Sequence, residues 1–173
     1  MTTEISIEFE KTSDELIRLI SSISEEQFNE IPFDGSWTAA QVGDHLLKSY
    51  GLIKVLNGQA VETRRLPVKE IETVKKIFID FDAKYKSAEN LFPTNEPIEK
   101  EKLLSELHKR IGQIKEVIQI KDLTETCVGV PFKGIGELTR IEWLYVILYH
   151  TQRHIHQIKN ILKSLESIVN KES

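Results

Sequence analysis

Along most of this chain apolar residues recur three and four positions apart, the spacing that lays one side of an α-helix against a core. From residue 5 to about residue 23, Leu16, Ile17, Leu19, Ile20 and Ile23 mark such a side. Ser24 and Gln27 form a Ser-x-x-Gln start signal for a short turn that stops before Pro32, and residues 33–36 read as a loop. Thr38 and Gln41 then make a capping box, with Trp37 placed to staple onto Val42. The helix they open carries Ala39, Val42, Leu46, Ile53 and Leu56 inward and is expected to end at Asn57-Gly58, with Gly58 in the left-handed conformation.

The pattern is mixed over residues 59–95, with a helix expected over 68–79 and irregular chain over 81–93. Asn95-Glu96-Pro97 is expected to open a third long helix, because proline fits a first turn whose N–H groups have no helical partner. Its Leu104, Leu107, Ile111, Ile114 and Ile118 form a narrow seam to about residue 120. Residues 122–138 hold Gly129, Pro131, Gly134 and Gly136, which predicts a loop or a pair of short extended pieces. Thr139 and Glu142 repeat the capping box, with a staple available between Leu138 and Trp143, and open a last helix running to about residue 168. The sum is an all-α chain of four long helices with one long crossover and no substantial sheet, residues 1–173 forming one domain.

Composition narrows the partners. With 23 Lys and Arg against 27 Asp and Glu, the net charge of −4 leaves no basic footprint for nucleic acid or anionic lipid. No apolar run approaches the roughly 20 residues that span a bilayer. Cys127 is the single cysteine, so no internal disulfide can form, and the start Met-Thr-Thr-Glu-Ile-Ser has neither the basic nor the apolar region of a signal peptide. These features predict a cytoplasmic protein that does not bind nucleic acid.

Histidine placement carries the candidate chemistry. Residues advance by about 100° along a helix, so His150 and His154 lie within about 40° of each other, one turn apart, with Trp143 and Gln157 on the same line. The stripe Leu144, Ile147, Leu148, Ile155, Ile158 and Leu162 runs just to one side, which puts both imidazoles at the edge of the buried arc. His156 points about 200° away from His154, onto the polar face. His45 stands in the same relation to its own stripe of Val42, Leu46, Ser49 and Ile53. If the two helices are neighbours, three imidazoles make a site for Zn²⁺, Ni²⁺ or a similar ion with a position left open; otherwise they are hydrogen-bonding residues at the core boundary. His108 reads as a satisfied boundary histidine and Cys127 as a small buried or semi-exposed residue rather than a ligand or nucleophile. Gln157 is readable as a support for a ligand or a contact to substrate, and equally as an ordinary polar residue of the helix.

The segment from Gly35-Ser36-Trp37-Thr38 through Gln41 to His45-Leu46, then Leu138-Thr139-Arg140-Ile141-Glu142-Trp143 and His150-x-x-x-His154-x-x-Gln157, resembles the DinB-like superfamily over nearly the whole chain. That group contains metal-dependent enzymes related to bacterial damage-inducible proteins and is distinct from the DNA polymerase sharing the name. The resemblance implies an up-down-down-up four-helix bundle, a homodimer, and a divalent metal held by His45, His150 and His154. It also implies a low-molecular-weight thiol such as bacillithiol or mycothiol as a reactant, since S-transferases and isomerases of that kind belong to the group. The expected function is thiol-dependent S-transfer to a small electrophile at a three-histidine metal, with metal-dependent hydrolysis and a non-catalytic metal- or ligand-binding bundle as alternatives.

Overall fold

The chain is described by a computed structural model over residues 2–81, 83 and 88–172. Four long helical stretches form it: α1 (Thr2–Ser22), α3 (Ala39–Ser49) prolonged by α4 (Ile53–Leu56), α6 (Lys100–Ile120) and α7 (Arg140–Glu172). The short α2 (Glu25–Phe28) follows α1, and α5 (Ile71–Ile79) packs against α7. A two-stranded antiparallel ribbon joins β1 (Ala60–Val61) to β2 (Thr126–Cys127), with Ala60 opposite Cys127.

Side-chain pairs fix the helix directions. Lys115 reaches Glu10 at 3.1 Å while Lys100 reaches the Ile23 carbonyl at 3.0 Å, so α1 and α6 are antiparallel. Gln152 bonds Thr12 at 3.4 Å and Lys159 bonds Glu15 at 2.5 Å, so α1 and α7 run the same way. His45 faces His150, and Arg140 Nε donates to the Leu56 carbonyl at 2.8 Å, so α3 and α4 oppose α7. The order is therefore up-down-down-up, as the resemblance implies. It follows that α3 touches both α6 and α7, and that the residues of α3 facing α7 meet it across the bundle core.

The expected inward residues are inward. Ala39, Val42, Leu46 and Leu56 are fully buried, as is the α6 seam at Leu107 and Ile114. Every residue from 138 to 149 is buried, which makes the start of α7 the centre of the molecule. Two charges lie inside that stretch and both are paired, since an unpaired buried charge is strongly unfavourable. Arg140 donates to the carbonyls of Leu56 and Asp122 and to the Glu125 carboxylate. Glu142 takes a two-pronged contact from Arg65 at 2.6 and 2.7 Å, and accepts from the backbone N–H of Glu70 and Thr139.

Several details differ from expectation, beginning with α1, which starts at Thr2 rather than near residue 5, and α7, which runs to Glu172 rather than to about residue 168. The third long helix begins at Lys100 rather than Asn95, because the Asn29 amide binds both the N–H and the carbonyl of Ile98, each at 2.9 Å, and keeps that residue out of a helical ladder. The second helix is interrupted by a 3₁₀ turn at Tyr50–Leu52, where Ser49 Oγ donates to the Leu46 carbonyl and Gly51 weakens helical preference. Gly58 is not left-handed; its N–H closes a tight last turn onto the Val55 carbonyl at 3.0 Å. The helix expected over 68–79 starts at Ile71, after a turn in which the Ile71 N–H bonds the Val68 carbonyl. Within the irregular stretch 81–93, residues 82 and 84–87 lie outside the described residues, and Glu89–Leu91 forms one 3₁₀ turn.

Candidate metal centre

His45 stands in the middle of α3, whose start is fixed by the predicted capping box: the Gln41 N–H bonds Thr38 Oγ1 and the Thr38 N–H bonds Gln41 Oε1, each at 3.1 Å. His150 and His154 stand one turn apart on α7, whose own capping box, Thr139 with Glu142, is also formed. Because α3 and α7 are antiparallel neighbours, the three rings meet. His150 Nε2 lies 3.1 Å from His45 Nε2 and 3.0 Å from His154 Nε2. One nitrogen from each ring falls within 4.8 Å of the others.

Hydrogen bonds on the far side of two rings decide which nitrogen is free. His45 Nδ1–H donates to the Leu91 carbonyl at 2.8 Å, and His154 Nδ1–H donates to Gln157 Oε1 at 2.7 Å. Each such bond leaves Nε2 as a lone pair aimed at the centre. Two converging lone pairs satisfy at most one proton carried by His150, so the cluster lacks a positive centre that all three can share. Nitrogens sharing one divalent ion at about 2.0–2.1 Å from each lie about 3–3.5 Å apart, which is the separation found between neighbouring rings. The three residues fit such an ion.

Protonation does not compete for those lone pairs near neutrality. Burial pushes His154 down to about 3, with the proximity of His45 adding to the shift and the Gln157 bond opposing it. Burial also holds His150 well below its ordinary value, reinforced by His154 and His45, and lowers His45 against the pull of its bond to Leu91. All three therefore stand neutral, the form that binds a metal.

Aromatic rings surround the cluster. Trp37, expected as a helix staple, lies with its ring 5.2 Å from His45 and 6.3 Å from Phe92. Phe78 of α5 meets His150 edge-on at 5.4 Å and Phe132 at 6.3 Å, and Phe132 meets Trp143 at 5.8 Å. Phe132 is presented by a tight turn in which its N–H bonds the Gly136 carbonyl at 2.8 Å; Gly134 and Gly136 have φ of 84° and 108°, which side chains disfavour. Residues 91–94 are laid across α3 by its polar face: Lys48 holds the Phe92 carbonyl, Asp44 the Thr94 N–H and Gln41 the Thr94 carbonyl.

The other two histidines lie outside the cluster, His156 on the polar face as expected and His108 exposed where a core-boundary position was expected. His156 is exposed and stacks on Phe81 at 4.4 Å, and His108 is exposed with Nδ1 on the Leu104 carbonyl at 2.8 Å. Cys127 is buried in β2, and burial raises its thiol, which suits a packed residue and not a nucleophile. Gln157 takes the supporting role. Sequence reasoning missed Leu91, which acts through a main-chain carbonyl that carries no side-chain signature, and Phe78 and Phe132, whose relation to the site exists only in three dimensions.

Residues 8–158 match the family model of the DinB superfamily. Among curated proteins, the uncharacterized protein YuaE of Bacillus subtilis (strain 168) is 26% identical over 148 residues, spanning 85% of this chain and 90% of that protein. Among solved structures, YfiT from Bacillus subtilis, described as a probable metal-dependent hydrolase with an unusual four-helix bundle topology, superposes with a TM-score of 0.60 at 16% identity, covering 95% of this chain and 87% of that one. Among the described residues no helix is long and apolar enough to cross a membrane.

Proposed function

The chain belongs to the DinB superfamily, and from that premise we propose that it is a metal-dependent enzyme holding one divalent ion, of the zinc or nickel kind, through Nε2 of His45, His150 and His154. We further propose that it transfers a low-molecular-weight thiol onto a small electrophile, a C–S bond forming as the bond from that carbon to its leaving group breaks, with the thiol proton passing to solvent and the leaving group departing with its electron pair. The observation that carries the metal assignment is the convergence of three neutral imidazoles whose free nitrogens lie 3.0 and 3.1 Å from their neighbour. Three protein ligands leave a position for a reactant. A divalent ion held by His45, His150 and His154 would supply the Lewis acidity that lowers the proton affinity of a thiol at neutral pH. The protein's own groups do the rest: Leu91 and Gln157 hold two rings in the binding tautomer, and Trp37, Phe78 and Phe92 offer apolar walls against which a small electrophile can lie while water is displaced.

Hydrolysis is the second reading, favoured by the description given to YfiT. The two differ in their reactant. Elemental analysis of purified protein should return about one divalent ion per chain, lost in His150→Ala and His154→Ala and kept in His156→Ala. Metal loss in His156→Ala with retention in His45→Ala would overturn the ligand set. On the cobalt-substituted protein, bacillithiol should shift the visible spectrum and be consumed with an alkylating electrophile. Silence towards thiols together with turnover of an ester or amide would replace transfer by hydrolysis.

A homodimer and a cytoplasmic location complete the proposal. Ile7 of α1 is 61% exposed, and Ile17 and Leu19 are only half-buried, so α1 keeps apolar surface outside its own core contacts. Light scattering at tens of micromolar should give twice the chain mass; a strict monomer would remove the dimer.

A further inference from the structure

Arg153 stands between His150 and His154 on α7, yet its guanidinium serves a different element. Helix α5 ends at Ile79, where the last carbonyls of any helix lack intrahelical partners. Arg153 takes one of them, the Phe78 carbonyl, from Nη1 at 3.3 Å, and also donates to the carbonyls that follow the helix, Asp80 from Nη1 and Ala83 from Nη2. A planar fork with five N–H donors can reach three carbonyls at once, and a cation at a helix C-terminus is favoured by the helix dipole. The clasp therefore fixes the end of α5 to the turn of α7 that bears the two histidines.

Phe78 is held by this clasp through its backbone and presents its ring to His150 at 5.4 Å and 70°. That contact matters because the three histidines are supported differently. His45 is oriented by the Leu91 carbonyl and His154 by Gln157, whereas the hydrogen-bond contacts of His150 among the described residues are the two made by Nε2 within the cluster. Ring packing sets the orientation of His150, with Phe78 on one side and the other two imidazoles at 5.0 and 4.5 Å.

We propose that Arg153 is a positioning residue for the metal centre: by clasping the carbonyls of Phe78, Asp80 and Ala83 it seats the Phe78 ring against His150 and holds that ligand for the ion. The proposal rests on the reading that the three histidines bind a divalent ion, and its test separates the two.

Wild type, Arg153→Gln, Arg153→Lys and Phe78→Leu would be loaded with zinc, and release to excess chelator followed at fixed temperature. Lys100→Gln, which breaks contacts with Glu25 and the Ile23 carbonyl and alters no residue touching the three histidines or the Arg153 clasp, is the reference for general loss of stability. Arg153→Gln should release zinc about tenfold faster or more, in line with the usual effect of groups that orient a ligand. Arg153→Lys, a point charge reaching fewer carbonyls, should fall between, and Lys100→Gln should release at the wild-type rate. Histidine ring NMR of the metal-free protein should show the His150 signals displaced in Arg153→Gln. A folded Arg153→Gln with wild-type release and unmoved His150 signals would overturn the proposal. Should Arg153→Gln fail to fold, Phe78→Leu decides, since it keeps the clasp and removes the ring: fast release supports the proposal and wild-type release overturns it. Absence of stoichiometric metal in the wild type would overturn the metal reading itself.

Discussion

Gln157 carries no mark of a role at the candidate site in its own side chain, yet its Oε1 accepts the Nδ1–H of His154 at 2.7 Å and thereby commits the opposite nitrogen to the cluster. Groups that orient a metal-binding imidazole commonly account for about 10–100-fold in affinity. Gln157→Leu should weaken zinc binding by about that factor in a competition titration with a chromophoric chelator, while Gln157→Glu, which still accepts the bond, should retain affinity. Equal affinity in Gln157→Leu would mean that packing alone holds the ring. The three histidines were legible in the sequence because helical spacing places each on the edge of an apolar stripe, and because His156, two positions on, is carried away from it. Their meeting was not, since spacing along two helices says nothing of whether those helices are neighbours. The Leu91 carbonyl could not have been found at all: any residue supplies a carbonyl, and only the path of residues 89–94 across α3 brings this one to 2.8 Å from His45.

Capping boxes were the most legible elements, and their success has a local cause. Thr38 with Gln41 and Thr139 with Glu142 close hydrogen bonds within four residues, so no distant partner is needed to form them. The start of α6 was misplaced for the opposite reason, a bond to Ile98 from Asn29, 69 positions away. Glu142 joins both kinds of interaction, capping α7 while binding Arg65 and the Glu70 N–H across the fold. Burial alone would raise its carboxyl, but the Arg65 contact and the two backbone N–H donors outweigh burial and lower it. A carboxyl whose folded value lies below its unfolded value, about 4.3, stabilises the fold fully above that pH and loses its contribution as pH falls through the folded value. Glu142→Ala should therefore cost about 2–4 kcal/mol at pH 7 in urea unfolding, because it strands Arg65 and two backbone donors. The difference from wild type should shrink as pH is lowered through the acid range; a difference independent of pH would show that packing, and not the carboxylate, is responsible.

At the scale of the whole molecule, the candidate ligands come from residues 45, 150 and 154, so an ion held by them ties α3 to α7 across more than a hundred residues of chain. The all-α class was readable from periodicity, whereas the up-down-down-up order came through the family resemblance, because apolar stripes show which face is inward but not which helix lies beside it. That order has a thermodynamic consequence. It makes α3 and α7 antiparallel neighbours in the core, where the three nitrogens converge, whereas in the unfolded chain His45 is separated from the histidines of α7 by more than a hundred residues. A ligand that binds the folded state alone stabilises it by about 2.7 kcal/mol when present at 100 times its dissociation constant. Zinc added to metal-free wild type should accordingly raise its melting temperature, progressively with free zinc concentration, and a chelator should reverse the rise. His45→Ala should lose most of this response even though it keeps the pair on α7, because the connection between the two helices is what the ion stabilises. Exposed His156, which stacks on Phe81 outside the cluster, gives the control: His156→Ala should melt with the same zinc dependence as wild type. A zinc response retained in His45→Ala and lost in His156→Ala would place the ion on the surface of α7 and detach it from the bundle core.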